Sequence, residues 1–298
     1  MSYFPIEYIE PVFRPPSEAR SLILQVTNGC SYNKCTFCDM YTADQKKFKP
    51  KAISEIETEL QSVSRSMPDV KRFFLADGDA MTLSFRRLKE ILETIHQYYP
   101  ERERVTAYCL PRNLKNKSIE ELTELRKLGL SMVYVGCESG DDKVLECIVK
   151  GETFESAKAA LLKLKAAGIK CSVMILNGLG GQKFSKQHAI NSARLMNETQ
   201  PEFVSTLVVS FPMGEDRFRE GFKGDYIPLE QAHLFEEIRL LIESFELEHT
   251  VFRSDHASNY LVLKGTLGAD KQKLLKTIDM ALNKPGAILL RQEWQRGL

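Results

Sequence analysis

Short apolar runs alternate with longer amphipathic segments along residues 22–208. Six of these runs are largely continuous, as expected of parallel strands that are buried on both faces. They begin near Leu22, Val70, Val105, Met132, Cys171 and Phe203. Between them lie segments of helical length, one with apolar residues at the helical spacing of Phe85, Leu88, Ile91, Leu92 and Ile95. Ser118 and Glu121 predict a capping box at the start of another helix. The pattern predicts six strand–helix repeats with right-handed crossovers.

Six repeats are fewer than the eight of a closed TIM barrel. We therefore expect an α/β fold, a partial (β/α)6 TIM-like barrel with its chemistry at the carboxyl ends of the strands. After the sixth strand the pattern predicts an irregular segment, a helix near 229–245, a polar stretch and a helix near 270–282. The predicted parts are an N-terminal extended segment at 1–20, the barrel core at 21–215, and a C-terminal α/β extension at 216–298. We expect the extension to pack on the barrel and line the substrate site.

Composition and charge narrow the class of protein. The 298 residues are 43% hydrophobic, enough for the core of one large domain, and the formal net charge is +1. A nearly neutral chain gives no general electrostatic reason to expect a nucleic-acid partner. The basic run Lys46, Lys47, Lys49 and Lys51 is expected to be a solvated loop. Neither an apolar run of about 18 residues nor a signal-peptide pattern occurs, so we expect a cytoplasmic protein without a membrane span.

The seven cysteines are unevenly distributed. Cys30, Cys35 and Cys38 lie together directly after the first predicted strand, whereas the other four are scattered, at Cys109, Cys137, Cys147 and Cys171. An odd number of cysteines in a reducing compartment argues against a disulfide framework. Three thiolates on a short loop can hold three corners of one [4Fe–4S] cluster and leave its fourth iron open to another ligand.

Two alternatives remain for this loop. Structural zinc sites use four ligands, and no further Cys or His lies near the loop in the sequence. The three cysteines could also be small buried hydrophobic residues, which would leave their clustering unexplained. The four scattered cysteines are expected to be structural, and because they lack paired spacing they predict no second cluster.

The loop resembles that of the radical S-adenosylmethionine (SAM) superfamily. The family usually has C-x3-C-x2-C with an aromatic residue before the third cysteine; here the spacing is C-x4-C-x2-C, and Phe37 precedes Cys38. The segment Asp77-Gly78-Asp79-Ala80 follows the second strand, where the family carries a GGEP-like motif that holds the amino group of SAM. Gly136-Cys137-Glu138-Ser139-Gly140 and Lys150-Gly151-Glu152-Thr153 look like the motif of the methylthiotransferase-like and coproporphyrinogen-dehydrogenase-like branch. The longer first spacing leaves the subfamily unassigned.

The resemblance implies a [4Fe–4S] cluster and SAM as cofactors, and it assigns residues to them. Cys30, Cys35 and Cys38 would bind the cluster, and Phe37, Asp77, Gly78, Asp79, Glu138, Ser139, Lys150, Gly178 and Met213 would contact SAM. Glu138 and Ser139 match positions that contact the ribose or the carboxylate, and Lys150 matches a carboxylate partner. Gly178 and Met213 follow the fifth and sixth strands, on the adenine side. Ordinary alternatives are a tight turn at the Asp-Gly pair, a helix N-cap at Ser139 and a plain surface lysine at Lys150.

The activity that the resemblance implies is reductive cleavage of SAM to methionine and a 5′-deoxyadenosyl radical. The radical would abstract hydrogen from an unknown substrate, which we expect to be a small molecule rather than nucleic acid. Electrons would come from a donor such as flavodoxin or ferredoxin. His256 and Tyr260, in a polar stretch of the extension, are the candidate catalytic residues, with ordinary turn and capping roles as the alternative for this stretch. The contrasting hypothesis is a non-catalytic iron–sulfur protein for electron transfer or sensing, which would not need the SAM motifs.

Overall fold

The computed structural model of the protein describes residues 5–297, so residues 1–4 of the predicted N-terminal segment lie outside the described residues. The chain forms two compact units. The first contains the described residues up to Asn33, with Met40–Val135 and Lys163–Cys171; the second contains Lys34–Asp39, Gly136–Leu162 and the described residues from Ser172 onward. The predicted three-part division of the chain stays a prediction.

The first unit is built on parallel strands. Its strands are β1 (Leu22–Gln25), β2 (Thr27–Asn28), β3 (Lys49–Pro50), β4 (Arg72–Ala76), β5 (Arg104–Cys109) and most of β6 (Leu130–Glu138). Strands β1, β4, β5 and β6 pair in that order and all run parallel, while β2 pairs antiparallel with β3. In β4, Phe73, Phe74 and Leu75 are fully buried, as the continuous apolar run predicts.

The helices of the first unit cover that sheet with apolar faces. They are α1 (Ile53–Ser66), α2 (Phe85–Tyr98) and α3 (Ile119–Lys127). In α2 the buried residues are Leu88, Ile91, Leu92 and Ile95, which were predicted from their spacing. The predicted capping box also forms, because the Ser118 hydroxyl accepts from Glu121 N–H and the Glu121 carboxylate accepts from Ser118 N–H.

The second unit continues the alternation of helices and strands. Its elements are α4 (Asp142–Cys147), most of α5 (Phe154–Ala166) and of β7 (Lys170–Asn177), α6 (Gly181–Thr199), β8 (Phe203–Val208), α7 (Asp216–Gly221), α8 (Gln231–Glu243), β9 (Val251–Ser254), β10 (Leu263–Thr266) and α9 (Lys271–Asn283). Strands β7, β8 and β9 pair in parallel, and β10 pairs antiparallel with β9. Short 3₁₀ helices along the chain lie at Pro16–Glu18, Asp44–Lys46, Ala80–Thr82, Pro111–Leu114, Pro285–Ala287 and Glu293–Gln295.

Most of the predicted elements are present. The six predicted strands are β1 and β4 to β8, and the two predicted C-terminal helices are α8 and α9. Strands β9 and β10 escaped prediction because they lie in a polar stretch and lack the continuous apolar run that marks β1, a strand of the same length. The segment predicted to be irregular contains α7, which is held by burial of Phe218 in an apolar cluster. Among residues 5–297, no helix combines the length and the apolar character needed to cross a bilayer.

Candidate functional site

The three cysteines of the loop differ from the other four in accessibility. Cys30, Cys35 and Cys38 are each partly exposed, whereas Cys109, Cys137, Cys147 and Cys171 are buried, and none of the seven is in a disulfide. Burial raises the pKa of the Cys137 thiol to about 12, as expected of an inert structural cysteine. The accessible thiols are therefore those of the loop, the ones predicted to bind metal.

The loop turns tightly around Cys30 in the first unit. The Asn33 N–H donates to the Cys30 sulfur over 3.4 Å, and Asn33 has a φ of 40° in the left-handed region, which asparagine tolerates better than most residues. The Asn33 side-chain amide donates to the Tyr41 carbonyl over 2.8 Å and so fixes this turn. A hydrogen bond to the sulfur favours the thiolate, the form that binds iron.

The second half of the loop is anchored within the second unit. The Thr36 N–H donates to the Ile148 carbonyl over 3.0 Å. Arg217 donates to the Cys35 carbonyl over 3.3 Å and forms an ion pair of 2.9 Å with Asp39. Phe37, the aromatic residue before Cys38, packs against an apolar cluster that includes Val144, Leu145, Ile148, Phe218 and Phe222. These contacts fix the backbone on both sides of Cys35 and Cys38.

The Asp-Gly pair after β4 contains a buried ion pair. The Asp77 carboxylate accepts from Gly78 N–H over 3.0 Å and forms a short contact with the Lys46 ammonium, and both charged side chains are fully buried. Lys46 also donates to the Ile9 carbonyl over 2.8 Å. The prediction of a solvated basic run is therefore wrong for Lys46, because its ammonium is buried and bound to the Asp77 carboxylate; Lys47 and Lys49 are exposed.

Asp79 contacts the cysteine loop directly. Its carboxylate is fully buried and accepts from the Ser31 N–H over 3.0 Å, from the Ser31 hydroxyl at short range, and from the Asn113 amide over 3.4 Å. Burial raises the pKa of Asp79 above its ordinary value, although the hydrogen bonds from Ser31 act to lower it. A Cβ atom on Gly78 would lie 2.3 Å from the Gly29 carbonyl oxygen, so only glycine permits this close approach of the two backbones.

A second buried ion pair follows β6. The Lys150 Nζ lies 3.0 Å from the Glu138 Oε1, and the side chains are only 3% and 10% exposed. Glu138 has a φ of 65°, a strained conformation that tends to be kept at functional sites. A Cβ on Gly136 would lie 2.3 Å from the Glu138 Oε1, which explains the glycine two residues before the acid.

Lys150 is a buried cation beside the cysteine loop. Its Nζ lies 5.5 Å from the centroid of the Phe37 ring. Burial by itself would lower the pKa of Lys150, but Glu138 and then Cys35 raise it above its ordinary value. The ammonium is thus kept charged close to two residues of the loop, where an anionic group of a ligand would be attracted to it.

Ser139 has a different environment from its neighbour Glu138. It is fully buried, and its hydroxyl accepts from the Asp141 N–H over 2.9 Å and lies 2.8 Å from the His188 Nδ1. The His188 Nε2 lies 3.0 Å from the Leu176 carbonyl, which can only accept, so we assign the ring hydrogen to Nε2. The Nδ1 atom then accepts a hydrogen bond from the Ser139 hydroxyl. The N-cap of α4 is Asp141, so the alternative of a helix N-cap at Ser139 is wrong; the predicted contact of Ser139 with SAM stays a prediction.

The turn after β7 is held by an acid that the sequence did not reveal. The Glu237 carboxylate, in α8, accepts from the Gly178 N–H over 2.6 Å, from the Asn177 amide over 3.0 Å and from the Ser185 hydroxyl over 2.6 Å. Burial raises the pKa of Glu237 above its ordinary value. The available signal was an acid among the buried apolar residues of an amphipathic helix, Leu234, Phe235, Ile238 and Leu241.

The segment after β8 presents Met213 to solvent, with 76% of its surface exposed. Phe211, two residues earlier, instead packs against Phe218 with ring centroids 4.5 Å apart and belongs to the edge of the apolar cluster that contacts Phe37. The sequence resemblance pointed to the methionine, whereas the structure places the neighbouring phenylalanine among buried aromatic residues.

The candidate catalytic residues of the extension lie in a turn bound by the C-terminal segment. Burial, and then the Arg291 guanidinium, lower the pKa of His256 below its ordinary value, and its Nδ1 accepts from the Ser258 N–H over 3.2 Å. The Tyr260 hydroxyl donates to Glu293 at short range, and Arg296 lies 3.7 Å from the centroid of its ring. Burial raises the pKa of Tyr260 to about 12, so this hydroxyl stays protonated at neutral pH.

The donor set of the loop is three accessible thiols, the donors that an iron–sulfur cluster takes. Among the described residues, no group of three or more His, Cys, Asp or Glu side chains is arranged to hold one metal ion. A zinc ion needs its ligands to converge on one point, whereas the thiolates of a [4Fe–4S] cluster each bind a different iron. The accessible loop thiols, and the backbone N–H directed at the Cys30 sulfur, fit such a cluster.

Comparisons with known proteins agree with this chemistry. Residues 24–191, more than half of the chain, match the sequence profile of the Radical SAM superfamily. The heme chaperone HemW of Bacillus subtilis (strain 168) is 23% identical over 143 residues, which are 47% of this chain and 38% of HemW. The chain thus spans well under half the length of this relative.

Solved structures show the same fold. Coproporphyrinogen III oxidase (HemN) from Escherichia coli, described as a radical SAM enzyme, superposes with a TM-score of 0.57 at 16% identity over 75% of this chain and 52% of HemN. Methylornithine synthase (PylB) gives a TM-score of 0.53 at 16% identity over 87% of this chain and 68% of PylB. The predicted fold class, α/β with a partial TIM-like barrel, is confirmed, and so is the predicted resemblance.

Proposed function

The chain belongs to the radical SAM superfamily, and we propose that Cys30, Cys35 and Cys38 hold its [4Fe–4S] cluster. The family cleaves SAM reductively with an iron–sulfur cluster, so the cluster and SAM are the cofactors of this protein. The observation that carries the assignment is the accessibility of the thiols: the three in the loop are partly exposed, and the other four are buried. A thiol that binds metal must be accessible and able to lose its proton. A buried thiol with a raised pKa meets neither condition.

When bound, the reduced cluster supplies the electron that divides SAM into methionine and a 5′-deoxyadenosyl radical. We propose that Lys150 attracts the carboxylate of SAM and that Glu138 holds the ammonium of Lys150 in place and contacts the ribose. The buried Lys150–Glu138 pair beside Phe37 supports this assignment, because a fixed cation in a site shielded from water attracts an anion more strongly than an exposed one.

The remaining predicted SAM contacts stay predictions. They are Phe37, Asp77, Gly78, Asp79, Ser139, Gly178 and Met213. The acid of Asp77 is paired with Lys46, so any contact that this segment makes with SAM is expected through its backbone. Gly178 has no side chain, and its N–H and carbonyl are hydrogen-bonded to Glu237 and Tyr226, so a contact with SAM is expected through packing against this turn.

We propose that the radical abstracts hydrogen from a small-molecule substrate and that a flavodoxin or ferredoxin supplies the electron. His256 is the better candidate for proton transfer, because its lowered pKa leaves the imidazole neutral and able to accept a proton at neutral pH. Tyr260 is protonated and hydrogen-bonded to Glu293, so it would act as a donor only after that bond opens.

The test is cleavage of SAM by the reconstituted protein. The full chain is loaded with iron and sulfide without oxygen, dithionite and SAM are added, and 5′-deoxyadenosine is measured by chromatography. We expect Cys30→Ala, Cys35→Ala and Cys38→Ala each to abolish the product and to lower the iron content. Cys171→Ala, which removes a buried thiol elsewhere, is the matched control and should retain both.

Two results would contradict the proposal. A stable cluster that yields no 5′-deoxyadenosine would favour the alternative of an iron–sulfur protein for electron transfer or sensing. Stoichiometric zinc bound to the same three cysteines, with no cluster formed, would exclude both hypotheses.

A further inference from the structure

We propose that Asp79 is a positioning residue for the cluster loop, which fixes Ser31 and through it the adjacent ligand Cys30, rather than a direct ligand of SAM. This inference rests on the proposed function, since it assigns Asp79 a role toward the cluster that Cys30 would bind.

The contacts of Asp79 define the role. One carboxylate oxygen, Oδ1, accepts from the Ser31 N–H over 3.0 Å, and the other, Oδ2, accepts from the Ser31 hydroxyl. The Oδ2 atom also accepts from the Asn113 amide over 3.4 Å, and Asn113 is itself fixed because its Oδ1 accepts from the Leu110 N–H over 2.6 Å. Both oxygens of the carboxylate therefore accept from donors of the chain, which use three of its roughly four acceptor sites.

A direct contact with the ammonium of SAM would need a carboxylate oxygen turned toward the ligand. Asp79 is fully buried, and its two oxygens point at the loop and at Asn113. Burying a carboxylate is costly unless hydrogen bonds compensate for the lost water, and the three donors supply that compensation. Turning the group to a ligand would break bonds that the fold needs.

The Asp79 carboxylate affects the position of Cys30 because Ser31, which it binds, directly follows Cys30 in the chain. The backbone N–H and the hydroxyl of Ser31 bind the same carboxylate, which fixes the peptide that joins Cys30 to Ser31. Next to Asp79 the backbones are also in close contact, since a Cβ on Gly78 would lie 2.8 Å from the Cys30 Cα. From the other side, the Asn33 N–H donates to the Cys30 sulfur. The thiol is thereby oriented before any metal binds.

Three variants separate positioning from ligand binding. Asp79→Ala removes all three acceptor contacts. Asp79→Asn keeps the oxygen that accepts from the Ser31 N–H, but it loses the charge and replaces the other oxygen by an NH2 group, which cannot accept from the Ser31 hydroxyl or from Asn113. Ser31→Ala removes only the hydroxyl contact. The thermal unfolding of each apoprotein is recorded first, so that a general loss of folding is recognised.

The first measurement uses the apoprotein and does not depend on a cluster. Hydrogen–deuterium exchange is followed at the peptide that contains Ser31. Because hydrogen bonds to a charged group are among the stronger ones, we expect exchange about tenfold faster or more in Asp79→Ala. In Asp79→Asn and Ser31→Ala it should stay within about threefold of the wild type, because the backbone bond is kept.

The second measurement uses the reconstituted protein. The rate at which a chelator removes iron should rise in the order wild type, Ser31→Ala, Asp79→Ala, and Asp79→Asn should fall close to Ser31→Ala. The affinity of the Asp79→Asn protein for SAM should stay within about threefold of the wild type, since a positioning role does not need the charge.

The outcomes are distinguishable from failure of the proposed function. If the wild type forms no cluster, the proposed function fails. The exchange data from the apoprotein still show whether Asp79 fixes Ser31. Wild-type exchange and wild-type iron loss in Asp79→Ala would overturn the positioning role. Loss of SAM affinity by about tenfold or more in Asp79→Asn, with exchange and iron loss unchanged, would assign Asp79 to the ammonium of SAM instead.

Discussion

The Nζ atom of Lys150 lies 3.0 Å from the Oε1 atom of Glu138, and both side chains are buried. Each charge therefore depends on the other, because neither has water to stabilise it. The pair follows the strand that leads into the Gly136–Gly140 motif and lies beside Phe37 of the cysteine loop. The same ion pair therefore stabilises this part of the fold and is proposed to bind the carboxylate of SAM.

Glu138→Gln is expected to lower the free energy of unfolding by about 3–5 kcal/mol, because it leaves the ammonium of Lys150 buried without its partner. The measurement is urea unfolding of the apoprotein. Glu198→Gln is the matched control: it removes the partner of Lys158 and Arg194 in pairs of 2.6 and 2.7 Å, and it should cost much less, because water screens the charges of exposed pairs. Equal losses in the two variants would contradict the account of the buried pair.

Lys150→Gln is expected to weaken the binding of SAM by about tenfold or more, since a buried cation that faces a carboxylate forms a charge-assisted hydrogen bond. Equilibrium binding to the reconstituted protein measures the effect, with iron content as the check that the cluster is still present. Lys158→Gln, on the same unit but in a pair about 30% exposed, should bind SAM as the wild type does. Unchanged affinity in Lys150→Gln would exclude the proposed contact.

Gly78→Ala is expected to displace the cysteine loop, because the new Cβ would lie 2.3 Å from the Gly29 carbonyl oxygen and 2.8 Å from the Cys30 Cα. The predicted result is a large loss of iron on reconstitution, measured as iron per protein chain. Gly286→Ala is the control, because no atom lies within 4 Å of the Cβ that it would add. Normal iron content in Gly78→Ala would show that the backbones can separate without affecting the ligands.

Glu237 is expected to make stability depend on pH. Its folded pKa is raised above the ordinary value of 4.5, chiefly by burial, so the folded state holds the proton more tightly than the unfolded state does. The wild type should therefore lose stability as pH rises from 4.5 through the folded pKa. The stability of Glu237→Gln relative to the wild type should rise over that window, and the difference should then stay constant. Unfolding free energies from about pH 4 to about pH 8 test this, and a difference that does not change with pH would contradict it.

His256 is expected to titrate below its ordinary value of 6.5 and to be neutral at neutral pH. NMR titration of the histidine signals measures this, with His256→Gln to assign the resonance. Burial and then the Arg291 guanidinium lower the pKa of His256, whereas Asp255 raises it. Arg291→Gln should therefore move the pKa of His256 upward. A titration above 6.5 in the wild type would remove the argument for His256 as a proton acceptor.

The strands and the cysteine loop were predictable because their signals are local. Continuous apolar runs mark β4 and β6, and the spacing of Cys30, Cys35 and Cys38 marks a metal site without reference to the rest of the chain. The accessibility of these three thiols agrees with that prediction.

The partners of the buried charges were not predictable, because they depend on tertiary contacts. Nothing in the sequence joins Lys46 to Asp77, or Asp79 to Ser31, until the loop packs on the end of β4. Glu237 is similarly distant along the chain from Gly178, which it holds. Family resemblance indicated which positions matter, but the contacts decide whether a side chain is turned toward a ligand or toward the fold.

The central claim is that three thiolates leave one iron of the cluster open to SAM. The most direct measurement is the electron paramagnetic resonance spectrum of the reduced, reconstituted protein before and after SAM is added. The account predicts a changed spectrum, because SAM would bind at the cluster that Cys30, Cys35 and Cys38 are proposed to hold. An identical spectrum with and without SAM, from a protein that holds its full complement of iron, would contradict it.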